Sequence, residues 1–138
     1  MAEKRLADRV VGEKYVSDET RLITPTELDI FCNITGMRGA AFLSDEAAKA
    51  FGMKSRLLPG AMSLAILFSL LGKFLGSAIF TGLNNLRLLS PVYPYDTLSA
   101  EAEVIGRKET SKGDRVLVTY LWTLKNQDGV TVAQGENT

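Results

Sequence analysis

The 138-residue sequence predicts an α+β fold in which an antiparallel sheet wraps around one central apolar helix. Three observations lead there. Residues 60–80 carry a single charge, Lys73, and are otherwise dominated by apolar and small residues. Residues 97–107 and 116–124 alternate apolar with polar residues, the period of half-buried strands. The element order runs from a strand through helices to a closing run of strands, which suits a sheet with its helices gathered on one face.

The first strand is expected near Val10 to Tyr15. The first helix follows Thr24-Pro25-Thr26-Glu27, which supplies a capping Thr, a Pro at the first helical position and a Glu three residues after the cap. That helix should run through Leu28, Ile30, Phe31 and Ile34 and stop at Gly36. Ser44-Asp45-Glu46 opens a shorter helix, with acids in its first turn and Gly52 at its end. After a loop from Met53 to Pro59, the long apolar helix begins at Gly60 and ends near Gly76. Twenty-one residues of this kind are long enough to cross a bilayer. Gly60, Gly72, Gly76, three serines and Lys73 fit a buried helix better.

Beyond Gly76 the period changes. Ile79 to Leu89 reads as a strand, closed by Ser90-Pro91 and the turn Tyr93-Pro94-Tyr95-Asp96. Thr97 to Arg107 places Leu98, Ala100, Ala102 and Val104 on one face. A turn at Thr110 to Asp114 leads to a strand with Val116, Val118, Tyr120, Trp122 and Leu124 on one side. Asp128-Gly129 turns the chain into Val130 to Gln134. In outline this is a hotdog fold, read as one domain over residues 1–138. The last residues, Glu136-Asn137-Thr138, fall within what reads as a strand. Sheet edges and an apolar flank make dimerisation the expectation.

Composition narrows the function. Apolar residues make up 46% and charged residues 23%, with 16 Lys and Arg balancing 16 Asp and Glu. A neutral chain of this kind gives no electrostatic reason to expect nucleic acid or an anionic membrane as a partner. The N-terminus is charged and lacks the apolar core of a secretory signal. The single cysteine, Cys32, excludes an internal disulfide framework and suits a reducing, cytoplasmic setting. Within an apolar helical stretch, Cys32 reads as packing rather than reactive thiol. No histidine is present, so a typical zinc site is not expected, and no phosphate-binding glycine motif appears. No cofactor is expected.

A site that stabilises a carbonyl oxygen gaining charge needs hydrogen-bond donors. Backbone N–H groups at a helix N-terminus provide them. Pro59-Gly60-Ala61 is such a place, and Gly60 has no Cβ to keep a ligand away. Taken alone, Gly60 is equally well a glycine that begins a packed helix. Acid–base chemistry at such a site also needs titratable groups within hydrogen-bond reach. Asp45 and Glu46 are the nearest carboxylates, although a helix start explains both. Residues 60–80 contain no Asp or Glu, and Ser63 and Ser69 read as hydroxyls bonded back to the preceding turn. No histidine could activate either one.

Several motifs together resemble the MaoC-like hydratases, the (R)-specific enoyl-CoA hydratase and dehydratase group. The family pattern Gly-Asp-x-Asn-Pro-x-His-x-Asp falls on Gly36 to Ser44, and its helix ending in Gly-Phe-Gly is similar to Glu46 to Met53. The element Ile-Val-His-Gly-Met matches Leu57-Leu58-Pro59-Gly60-Ala61. Asn85 to Leu98 is similar to the strand and turn Arg-Phe-x-x-Pro-Val-x-x-Gly-Asp-Thr-Leu, and Gly129 to Gly135 fits the last hairpin. The resemblance spans about Val10 to Thr138.

What it implies about chemistry is unusual. The catalytic Asp and His positions are Met37 and Phe42, the supporting Asn is Gly39, and Gly60 carries over as the oxyanion glycine. The resemblance therefore implies an acyl-CoA or acyl-carrier thioester as ligand and a non-catalytic subunit of a hydratase or dehydratase. Such a subunit would form a homodimer, or a heterodimer with a hotdog chain that keeps the Asp and His. Two alternatives stay open: an active hydratase using a group such as Asp45, and a non-enzymatic acyl-CoA sensor or structural homo-oligomer.

Overall fold

Residues 4–138 are described by a computed structural model. A 3-10 turn at Leu6–Asp8 precedes two short strands, β1 (Lys14–Val16) and β2 (Arg21–Leu22). Helix α1 (Pro25–Thr35) begins where the local signals place it. The Thr24 hydroxyl accepts from the Glu27 N–H at 3.3 Å, and the Thr24 N–H donates to the Glu27 carboxylate at 3.1 Å. Two otherwise orphaned donors are thereby satisfied. The helix stops at Gly36, whose φ of 74° is readily adopted only without a Cβ.

Helix α1 buries Leu28 together with Cys32, the cysteine read as packing, while Ile30 and Ile34 are exposed. Both pairs have the same i,i+4 spacing, and tertiary packing chose between them. Two short helices follow, α2 (Ala40–Leu43) and α3 (Asp45–Ala50), the second capped by the Ser44 hydroxyl.

The apolar stretch forms α4 (Gly60–Leu70) and α5 (Gly72–Leu75), interrupted at Leu71 and closed by Gly76. Met62, Ile66, Leu67, Leu70, Leu71 and Phe74 are buried along it. Among the described residues no helix is long and apolar enough to cross a membrane.

Strands β3 (Leu83–Leu88), β4 (Thr97–Glu109), β5 (Val116–Lys125) and β6 (Thr131–Asn137) complete an antiparallel sheet. Its order is β1-β4-β5-β6-β3, with β2 also on β4. Register aligns small residues with large ones on the buried face: Ala100 opposite Leu124, Ala102 opposite Trp122, and Trp122 in turn opposite Gly135. A Cβ on Gly135 would lie 2.8 Å from the Trp122 ring, so the absence of a side chain makes room for the indole. The Trp122 N–H donates to Asn137 Oδ1 at 3.0 Å, satisfying a polar atom within the core.

Three boundaries depart from the expectation. Val10 and Val11 are exposed and precede the turn at Gly12, so β1 starts at Lys14. Ile79 and Phe80 lie before β3, with Phe80 against Phe68 at 5.3 Å between ring centroids. β6 runs three residues past Gln134, paired with both β5 and β3. The result is the α+β hotdog architecture, its apolar helix packed against the inner sheet face.

Candidate functional site

The N-terminus of α4 meets β3, the loop after it and the start of β6 at an apolar cavity of about 320 Å³. Its wall includes Phe42, Gly60, Ser63, Leu88, Ser90 and Val132, and no residue of the full lining titrates. Pro59 offers no side-chain cap to α4. The N–H groups of Gly60 and Ala61 have no partner among the described residues, whereas those of Met62 and Ser63 bond to the Pro59 carbonyl. Two unpaired donors at a helix N-terminus are suited to a carbonyl or anionic oxygen.

Gly60 also lets a side chain of β3 approach the helix start. An added Cβ would come within contact distance of Leu88 Cδ1, so β3 packs directly on the helix start. The Leu88 contact is invisible in the sequence, since 28 residues separate the pair.

Phe42 lines the cavity, and its ring lies over Gly39. Met37 is half-buried and does not line it; its N–H faces the Thr35 hydroxyl at 3.4 Å. The residues at the two positions implied to be catalytic are thus one aromatic wall and one thioether outside it.

Asp45 stands apart from the cavity lining. Its Oδ1 accepts from the Arg56 N–H at 2.9 Å, and the Arg56 side chain donates to the Phe42 carbonyl at 3.0 Å and pairs with Asp29. This network ties α1, α2 and the loop before α4 together. The carboxylate serves as a loop anchor, a role the sequence reading of Asp45 missed.

The two serines of α4 also differ from the expectation. Ser69 accepts from the Arg21 guanidinium at 3.0 Å. Ser63 is 4% exposed, and its hydroxyl has no partner among the described residues, neither the preceding turn nor another side chain. Among those residues no group of His, Cys, Asp and Glu could hold a metal ion.

Residues 7–126 match the family described as MaoC like domain. The chain belongs to that family. It is 32% identical over 130 residues to a mesaconyl-CoA hydratase from Cereibacter sphaeroides, covering 91% of this chain and 37% of that protein. The chain therefore spans just over a third of that relative's length. Among solved structures, the unliganded R-hydratase PhaJ1 from Pseudomonas aeruginosa is 28% identical with a TM-score of 0.75, covering 96% of this chain and 82% of the other. The monoamine oxidase regulatory protein from Archaeoglobus fulgidus is 26% identical with a TM-score of 0.86, covering 97% and 91%. The MaoC-like assignment agrees with the motifs from Gly36 to Gly60 and from Pro91 to Leu98.

Proposed function

We propose that this MaoC-like chain binds an acyl thioester without transforming it, as the non-catalytic subunit of an enoyl-thioester hydratase or dehydratase. One observation carries the reading: two unpaired N–H groups, on Gly60 and Ala61, adjoin an apolar cavity whose lining contains no titratable side chain. The donors suit a thioester carbonyl. The apolar wall suits the acyl chain, and the cavity sits at the small end of the usual range for ligand pockets. Hydration needs groups that move protons, and no lining residue supplies one. Asp45, occupied as a loop anchor, gives the alternative of an unorthodox hydratase no support.

The acid and the imidazole would come from a partner hotdog chain. Among the described residues strand β3 pairs only with β6 and leaves an edge carrying exposed Leu86 and Leu88, with exposed Leu89 directly after it. An open apolar edge favours association with another chain. Calorimetric titration of the purified chain with butyryl-CoA tests the binding half of the proposal. Saturable binding that exceeds that of free CoA is expected; no difference between the two would contradict it.

A further inference from the structure

A second cavity, of about 230 Å³, lies at the other end of the central apolar helix, beside α5. Its wall includes Leu75, Ile79 and an aromatic pair, Phe68 and Phe80, whose ring centroids are 5.3 Å apart. It shares no lining residue with the cavity at Gly60, and no charged side chain lines it. Its two polar side chains are Tyr120 and Thr138. Thr138 is engaged within the fold: its hydroxyl pairs with Thr119 Oγ1 at 3.0 Å, and its carbonyl accepts from the Thr81 and Gly82 N–H groups.

A line of buried groups fixes how Tyr120 works. The Trp122 indole N–H can only donate, and it donates to Asn137 Oδ1 at 3.0 Å. The Asn137 amide nitrogen is thereby turned to Tyr120, whose hydroxyl oxygen accepts from it at 3.4 Å. The oxygen is satisfied by that bond, and the proton is left to donate elsewhere. Among the described residues it meets no acceptor. Burial pushes the Tyr120 phenol up from its ordinary pKa, so the proton stays in place at neutral pH.

We propose that this cavity binds a small neutral molecule with an apolar body and one acceptor oxygen, such as a ketone, held by the Tyr120 O–H. An apolar cavity of about 150 Å³ holds benzene, so this one has room for a ring with a short substituent. A hydrocarbon would leave the Tyr120 proton unpaired. An alcohol would bring a second donor to a wall with no free acceptor. A carboxylate would lose its hydration with no cation to meet it.

The test uses the full chain, with acetophenone and α-methylstyrene as probes, the second having a methylene in place of the carbonyl oxygen. Trp122 is the only tryptophan, so its indole N–H gives one side-chain resonance that reports on the line of hydrogen bonds to Tyr120. Acetophenone should move that resonance saturably, together with the backbone amides of Gly72, Gly76 and Ala78, and leave those of Gly60 and Ala61 in place. It should bind about three- to tenfold more tightly than α-methylstyrene. In Y120F the two probes should bind equally. Should loss of an acceptor for Asn137 unfold Y120F, the comparison of the two probes on the native chain still decides. No saturable shift with acetophenone would overturn the proposal, as would shifts centred on Gly60 and Ala61. Equal affinities in the native chain, or a ketone preference that survives in Y120F, would overturn it too.

Discussion

The Phe42 ring occupies the space that a side chain on Gly39 would need: a Cβ there would sit 2.8 Å from Phe42 Cε2. These are the positions at which the family resemblance expects a histidine and its supporting asparagine. The pair is thus coupled in space as well as in motif, and a glycine at 39 goes with an aromatic ring at 42.

Coupling of this kind is measurable. G39A should destabilise the native chain by about 1–3 kcal/mol, the usual cost of overpacking. In an F42A background the same change should cost much less, because the obstructing ring is gone. Thermal unfolding of the four members of this cycle gives the interaction energy directly. Equal costs in both backgrounds would contradict the packing relationship.

Tyr95 adopts φ 73° at an exposed turn, a conformation that is costly for a residue with a Cβ. The family pattern places glycine there. Y95G relieves a left-handed backbone cost of about 1–2 kcal/mol and loses about 0.4–1 kcal/mol to unfolded-chain entropy, so it should stabilise the protein by at most about 1 kcal/mol, read as a slightly higher melting temperature with unchanged butyryl-CoA binding. A lower melting temperature would mean that the tyrosine side chain makes a stabilising contact outweighing its backbone cost.

Glu13 anchors the N-terminal segment. The Lys4 ammonium bonds to its carboxylate at 2.6 Å, and the Arg9 guanidinium does so at 2.6 Å, which together hold its pKa below the ordinary glutamate value. The stabilisation is fully present above that ordinary value, about 4.3. It is lost as pH falls through it towards the depressed folded value. E13Q should consequently melt below the native chain at pH 7, with the gap closing as pH falls below the ordinary glutamate value towards the depressed folded one. A gap independent of pH would contradict an ionic origin.

Legibility followed the range of the interaction. The α1 cap was readable because Thr24 and Glu27 are three residues apart. Strands β4 and β5 were readable because alternation is a local property of a half-buried strand. The start of β3 was not, since Ile79 and Phe80 are as apolar as a strand, and its pairing begins at Leu83 opposite Asn137. Nor could an all-apolar stretch announce the break at Leu71, because uniform hydrophobicity carries no phase.

The site divides in the same way. Gly60 stood out through its motif, whereas its contact with Leu88 and the anchoring of Asp45 by Arg56 depend on the folded chain. Ser63 looked like an ordinary helical hydroxyl until its partners could be counted.

The central claim, that this chain binds an acyl thioester but lacks the groups to hydrate it, is tested most directly with crotonyl-CoA. The pure chain is given crotonyl-CoA at concentrations that saturate binding, and loss of the enoyl absorbance is followed. Saturable binding with turnover far below about 1 s⁻¹, the lower end of ordinary enzymes, is the predicted result. Turnover at or above that rate by the chain alone would contradict the claim.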